Sequence, residues 1–289
     1  MIERLCVIGV GLIGGSVARA ARREGLCREI VGVDASADNL AKAFELGVID
    51  AGYTDVARGT VDADLIVIAT PVGAFAPVFD ALRQVWNERA IVTDTGSTKQ
   101  SVVDAMMASM GRLPLNFVPG HPIAGAEKSG VEAATDDLYR GKRVILTPLP
   151  QTDVQAVAKV ERFWQAVGAR VSCMDPKHHD EVLAATSHLP HVLAFALVHM
   201  LGRKDEQQEI FQYAAGGFRD FSRIASSDPR MWLDICQANR ASIEGLIGQY
   251  VEELQQLASM LSRGAGDELF TLFSEARDAR QRFLDQLDR

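Results

Sequence analysis

Six residues near the N-terminus, Gly9-Val10-Gly11-Leu12-Ile13-Gly14, restrict what this chain can fold into more than any other stretch. Glycine tolerates the positive backbone angles of a very tight turn, and it lets another backbone or a ligand approach where a side chain would stand in the way. The spacing G-x-G-x-x-G says little alone. Here it follows Arg4-Leu5-Cys6-Val7-Ile8, an apolar run of the kind buried parallel strands have, and it opens a helix with Val17, Ala18, Ala20 and Ala21 at apolar or small positions. A second apolar strand, Ile30-Val31-Gly32-Val33, closes on Asp34. Strand, glycine turn, helix, strand and acid in this order predict a Rossmann-type, dinucleotide-binding unit.

Each part of that unit has a physical role. Gly9 permits the turn, Gly11 admits a pyrophosphate to the backbone, and Gly14 lets helix and strand pack closely. Leu12 and Ile13 lie at the helix start, where unpaired N–H groups and the helix dipole favour phosphate. Asp34 would accept hydrogen bonds from ribose hydroxyls and repel a 2′-phosphate, and Ala35-Ser36-Ala37 supplies no arginine to receive one, so NAD is favoured over NADP. Asp34 could also cap the next helix together with Ser36, and the two roles are compatible.

The α/β alternation continues. A helix over 36–46 closes at Gly47, and the strand 64–69 ends in Thr70-Pro71, read either as a cofactor-side turn or as an ordinary one. A helix over 74–86 and a strand over 90–94 follow. The loop Thr95-Gly96-Ser97-Thr98-Lys99-Gln100 then opens a helix through Met110. Ser97 could cap that helix, or hydrogen-bond a substrate hydroxyl or the nicotinamide; Lys99 could bind an anion. After a strand over 116–118 comes Pro119-Gly120-His121-Pro122, running on to Gly130, whose prolines and glycines predict a shaped loop. The Ser97 and His121 loops follow successive strands on the same edge as the glycine turn, which favours chemistry over a structural turn for His121. Strands over 143–147 and 169–173, flanking a helix over 152–167, would complete the sheet.

From Asp175 the strand patterns stop and helical periodicity runs to Arg289. The division predicted is therefore residues 1–174, dinucleotide-binding, and 175–289, helical. His178 and His179 fall in a charged first turn and read as solvated. His188 and His191, three apart, share a face that Pro190 should loosen or kink, so they could line a cavity. A metal there lacks Asp, Glu or Cys at ligand spacing, so none is expected. Beyond Gly216-Gly217, Arg219 and Arg223 read as a carboxylate site, with surface ion pairs to Asp220 or Asp228 as the alternative. Asp228-Pro229 starts another helix leading to Trp232. The long amphipathic helices over 239–261 and 267–287 carry more apolar surface than one domain needs, which predicts a homodimer through the helical domain.

Composition narrows the partners. A net charge of -8 argues against nucleic acid or an anionic membrane, while an anionic small substrate needs locally placed cations. Four cysteines without metal-type spacing suit a reducing cytosol. No signal peptide precedes the first strand, and the apolar stretch Leu189 to Leu201, interrupted by His191 and His199, is too short to span a bilayer. A cytoplasmic protein is expected.

Five motifs, taken together and in order, resemble the prephenate/arogenate (cyclohexadienyl) dehydrogenase family of tyrosine biosynthesis. They are the glycine turn, Thr93-Asp94-Thr95-Gly96-Ser97-Thr98-Lys99, Gly120-His121-Pro122-Ile123-Ala124-Gly125, Ser187-His188-Leu189-Pro190-His191, and Phe218-Arg219-Asp220-Phe221-Ser222-Arg223-Ile224-Ala225. The resemblance implies oxidative decarboxylation of a dicarboxylate cyclohexadienol to a phenol, with hydride passing to NAD. It implies that His121 accepts the proton of the ring hydroxyl and that Ser97 hydrogen-bonds the same hydroxyl. It further implies that His191, with His188 nearby, and Arg223 contact substrate. Arg219 falls where family members commonly carry a basic residue, and Trp232 is placed near the same pocket. Glu127 and Lys128 would border the substrate side chain. Some family members carry an added regulatory domain; with the chain ending in helix at Arg289, feedback through such a domain is not expected. Two alternatives compete. A two-domain hydroxyacid dehydrogenase would rely on a lysine in the helical half, where only Lys177 and Lys204 occur, both in charged stretches. A non-catalytic NAD-binding sensor would make His121 merely structural.

Overall fold

The computed structural model describes residues 2–125, 128–204 and 209–287. Buried strands alternating with helices build a parallel sheet from β1 (Ile2–Ile8), β2 (Cys27–Val33), β3 (Ala51–Tyr53), β4 (Leu65–Ile68), β5 (Ile91–Asp94) and β6 (Phe117–Val118). The helices between them are α1 (Leu12–Arg23), α2 (Ala37–Glu45), α3 (Val56–Gly59), α4 (Phe75–Arg83) and α5 (Gln100–Met110). Strand order is β3-β2-β1-β4-β5-β6, so the chain reverses its direction of travel between β1 and β4. A ligand crevice opens at that switch point, beyond the carboxyl ends of the strands. Side chains alternate across the strands: Leu5 and Val7 of β1 join one core with Val17, Ile30 and Trp164, while Cys6 and Ile8 join the other with Ile68, Phe79 and Phe117.

Five of the six strands stand where the sequence predicts them, and two differences appear. β3 and α3 were not anticipated, because three residues ending in Gly-Tyr and a four-residue helix carry too little periodicity to read. The second difference concerns the stretch around His121. Gly120–Ile123 is a strand, β7, which pairs antiparallel with β8 (Arg143–Leu146). β8 pairs in parallel with β9 (Arg170–Cys173) after the crossover helix α6 (Val154–Ala166). These strands do not extend the large sheet; they make a separate three-stranded sheet in the order β7-β8-β9. Pro122 is tolerated in β7 because β7 is an edge strand, where a missing N–H breaks no ladder.

Helices make up the rest of the described residues. α7 (Pro176–Leu183), a π-helical stretch (Ala184–His188) and α8 (Leu189–Gly202) form one continuous run. The π-helical turn just before Pro190 is the loosening expected there. The run is 27 residues long and its most apolar 18-residue window has a mean hydropathy of 1.4, enough by length and composition to cross a membrane. The expectation that this stretch is too short is therefore corrected, because the π-helical turn joins α8 to α7. Its first turns, however, bury His179 against His121 of β7 and Asp180 against the start of α5. Next come α9 (Glu209–Gln212), α10 (Gly216–Ser222), α11 (Pro229–Ala238), α12 (Arg240–Arg263) and α13 (Gly266–Leu287). Met1–Arg240 and Ala241–Arg289 are two compact units. In the second, the turn at Gly264 (φ +67°) is clamped by Arg263, which bonds Glu268 at 3.2 and 3.0 Å. Tyr250, Val251, Leu254, Leu261, Phe270, Phe273 and Phe283 stay exposed on its helices.

Gly9 shows how tightly the turn is drawn. Its φ is +92°, and a Cβ there would lie 2.7 Å from the backbone carbon and oxygen of Ala69, at the end of the neighbouring strand. Gly9→Ala should therefore cost about 1–3 kcal/mol from backbone strain alone, with the collision added, as read by urea unfolding. Unchanged stability would show that the turn can relax.

Candidate active site

Three groups converge where β1 and β4 end. Gly11 leaves open space around its Cβ position, and as N-cap of α1 it brings no side chain to the first-turn N–H groups. A Cβ on Gly14 would strike the Gly9 carbonyl oxygen, so α1 sits against the turn as closely as glycine allows. Asp34 lies at the end of β2 and accepts hydrogen bonds from Val10 N at 3.0 Å, Ser36 N at 3.0 Å and Asn39 Nδ2 at 2.9 Å. The helix cap is Ser36 itself, whose hydroxyl accepts from Asn39 N. Thr70, half-buried after β4, has a buried hydroxyl with no partner among the described residues; Pro71 beside it is exposed. Asp234 of α11 accepts from Gly73 N at 3.3 Å, which holds α11 against this edge. An open glycine cradle, a helix N-terminus, an acid and an orphaned hydroxyl together fit a dinucleotide.

Beside this edge a buried polar network joins the Ser97 loop to the His121 strand. Lys99 and Asp94 are both fully buried and paired through Nζ and Oδ2. Lys99 Nζ also donates to the Gly120 carbonyl at 2.7 Å, and Asp94 accepts from Gly96 N and Gly120 N at 2.8 and 3.0 Å. Burial pushes the Asp94 carboxyl up and the Lys99 ammonium down, while their mutual attraction pulls both back. Lys99 thus serves the fold from inside and is not placed as an exposed anion site. Ser97 is half-buried and does not cap α5. The cap comes from a distant residue: Asp180 accepts from Lys99 N at 2.7 Å and Gln100 N at 2.9 Å.

His121 is nine-tenths buried. Its Nδ1 lies 2.9 Å from Nε2 of His179, and His179 Nδ1 lies 2.9 Å from Asp180 Oδ1. Burial first, then the nearby His179, Lys99 and His188, hold His121 well below the ordinary 6.5. His179 is also lowered by burial, against the pull of Asp180. The expectation that His179 is solvated is corrected: only His178 is exposed. The buried positions of α7 are Pro176, His179, Asp180 and Leu183, at i, i+3, i+4 and i+7. That spacing, anchored by an apolar residue at each end, was the signal for an inward face.

His188 and His191 do share a face, and Trp232 of α11 meets both. The His191 ring stacks on Trp232 with centroids 4.0 Å apart, and the His188 ring meets it edge-on at 6.1 Å. His191 Nδ1 donates to the Ser187 carbonyl at 2.8 Å, leaving Nε2 as its free acceptor. His188 Nδ1 lies 3.2 Å from Asn239 Nδ2, which also donates to the Asp180 carbonyl at 2.7 Å. Burial lowers His188 to about 4. The indole N–H of Trp232 is buried without a partner among the described residues. Arg223 lies in the short helical turn after α10, exposed but near enough to His191 to depress its proton affinity; Arg219 is exposed on α10. Lys128 is exposed, and Glu127 lies outside the described residues.

The sequence reading missed His179, Asp180 and Asn239. The histidine cluster carries a pH signature. Unfolded, His121, His179 and His188 would titrate near 6.5; folded, burial keeps them neutral to lower pH, to about 4 for His188. Between those values the unfolded chain binds more protons, so stability is complete above 6.5 and lost as pH falls toward 4. Each histidine can contribute up to about 1.4 kcal/mol per pH unit. The urea midpoint should fall across that window, and less steeply in His188→Gln; equal slopes would contradict this assignment.

Comparison with known proteins agrees with this geometry. A family model described as prephenate dehydrogenase, nucleotide-binding domain, matches residues 17–173, and one described as prephenate dehydrogenase, dimerization domain, matches residues 175–275. The chain is 35% identical over 285 residues to a cyclohexadienyl dehydrogenase of Zymomonas mobilis, covering 97% of this chain and 96% of that one. It is 37% identical to a prephenate dehydrogenase of Bacillus subtilis, covering 97% of this chain and 76% of that protein. A crystal structure of prephenate dehydrogenase from Aquifex aeolicus, in complex with hydroxyphenyl propionate and NAD+, superposes with a TM-score of 0.91 at 39% identity, covering 98% of this chain and 99% of that one. The chain belongs to the prephenate dehydrogenase family.

Proposed function

We propose that this protein catalyses the NAD-dependent oxidative decarboxylation of prephenate to 4-hydroxyphenylpyruvate, or of arogenate to tyrosine, in tyrosine biosynthesis. The observation that carries the reading is His121: a buried histidine kept neutral, fixed by the Asp94–Lys99–Gly120 network to the loop bearing Ser97. It stands beside a glycine turn that fits a dinucleotide, in a chain of this family.

In this reading Gly9, Gly11, Leu12, Ile13, Gly14, Asp34, Thr70 and Pro71 hold NAD, whose nicotinamide supplies the hydride acceptor. His121 takes the proton of the ring 4-hydroxyl as the C4–H bond gives up its hydride, and Ser97 hydrogen-bonds the same oxygen. The C4–O bond becomes a carbonyl. The electron pair of the bond to the ring carboxylate then enters the ring, CO₂ departs, and the carbonyl oxygen becomes a phenol by taking up a proton. Aromatisation drives that loss, so the protein's task is to place the ring and accept one proton. His191 offers Nε2, Trp232 its indole N–H, and Arg219 and Arg223 their guanidinium groups to a doubly anionic substrate; His188 supports this wall from beneath. The hydroxyacid alternative is not favoured: Lys177 and Lys204 are exposed.

The same proposal places the domain division at 174/175 and joins two copies through the helical part. The exposed apolar residues of α12 and α13 are the surface a second copy would cover. A reducing, cytoplasmic setting accords with four free cysteines.

Steady-state assays with prephenate and arogenate, each with NAD and NADP, test the activity. NADH formation with a phenolic product is expected, and no turnover in any combination refutes it. His121→Asn should lower kcat by roughly 10²–10⁴-fold while leaving NAD binding unchanged. Sedimentation should give a dimer, and Leu254→Asp a monomer; a monomeric parent would refute the interface.

A further inference from the structure

His179 and Asp180 stand in line behind His121, outside anything the proposed reaction touches. We infer that His179 and Asp180 are positioning residues that fix the tautomer of His121, so that its Nε2 carries the lone pair that meets the substrate hydroxyl. This rests on His121 being the base.

The inference follows from donor and acceptor accounting along one line. Asp180 as a carboxylate can only accept, and its Oδ1 already accepts from Lys99 N at 2.7 Å. His179 Nδ1, 2.9 Å from that oxygen, must therefore carry hydrogen; a lone pair there would face the carboxylate. A neutral imidazole has one N–H, so His179 Nε2 is an acceptor. His121 Nδ1, 2.9 Å away, is then the donor, and its Nε2 is left bare. The opposite arrangement would put hydrogen on His121 Nε2 and abolish its use as a base. Burial and Lys99 both disfavour a doubly protonated His179, the one other state that would reverse the bond to His121. The charged and titratable groups around the pair are Lys99 and Asp94 from the β5–α5 region, Asp180 from α7 and His188 from the π-helical turn. When His121 takes up a proton, His179 accepts from the resulting imidazolium and Asp180 balances the charge, so no water is needed behind the ring.

Asp180 also caps α5, the helix that leaves the Ser97 loop. One carboxylate thereby sets both the loop that presents Ser97 and the nitrogen that His121 presents. Asp180→Asn separates the two roles. With its amide N–H at the Oδ1 position it offers hydrogen to His179 Nδ1 and inverts the chain of tautomers. Its oxygen still accepts from Gln100 N, and only Lys99 N loses its acceptor.

Histidine-selective ¹⁵N labelling of the chain's six histidines, with NMR of the parent and variants, reads this without turnover. The parent should show His121 protonated on Nδ1 near neutral pH, and Asp180→Asn should move that proton to Nε2. In parallel, kcat should fall roughly 10⁴-fold in Asp180→Asn, the scale seen where a wrong tautomer disables a histidine base, with NAD affinity unchanged. His179→Gln, whose carbonyl can still accept from His121 Nδ1, should keep at least ten times the kcat of His179→Leu, which cannot. His121 found protonated on Nε2 in the parent, an unmoved proton in Asp180→Asn, or equal activity of the two His179 variants would overturn the inference. The expected tautomers combined with a fully active His121→Asn would instead refute the reading of His121 as base.

Discussion

A lysine and an aspartate, paired with no access to solvent, set the frame on which the rest of this site depends. Removing two charges from water costs several kcal/mol for each ion, and only good geometry with further hydrogen bonds repays it. Here the repayment is structural. Asp94 sits at the end of β5 and accepts from Lys99 Nζ, Gly96 N and Gly120 N, while Lys99 gives its second bond to the Gly120 carbonyl. The last residue of one strand, the loop after it and the residue before His121 thus become one rigid piece. Loss of either partner would strand the other charge in the core.

That frame explains how an acidic chain can run chemistry on an anion. Net charge is -8, yet the walls of the proposed pocket combine neutral imidazoles, an indole N–H and arginines, and the buried Lys99 nearby is already neutralised by Asp94. Burial keeps His121, His179 and His188 unprotonated, so in the proposed reaction a base is ready without a neighbouring carboxylate to activate it directly. Asp180 stands one imidazole farther back and spends its hydrogen bonds on α5 and His179. Electrostatic stabilisation is laid down before any substrate arrives, which is what low-dielectric sites do best.

Much of this was legible in the sequence, for identifiable reasons. The glycine turn, Asp34, the alternation of strands and helices, and the pairing of His188 with His191 on one face all follow from local rules of spacing. The strand at His121 was hidden because two prolines and a glycine read as loop, and only its place at a sheet edge makes Pro122 admissible. The second sheet could not be separated from the first, since nothing local says which strands will pair. His179 and Asp180 were obscured by charged neighbours. Their inward face is set by Pro176 and Leu183 at helical spacing, and by a helix N-terminus some eighty residues away in sequence that needed a cap. Long-range polar satisfaction is the part of a fold that periodicity does not encode.

The central claim is that a buried, neutral His121 is the base. The most direct measurement is the acid limb of kcat/KM against pH, with prephenate and NAD, in the parent and in His121→Asn. Since protonation removes the base, activity should fall as pH drops through the His121 value. Burial places that break well below 6.5, and it should vanish in the variant's residual activity. A break near 6.5 or above, or one that persists unchanged in His121→Asn, would contradict the account.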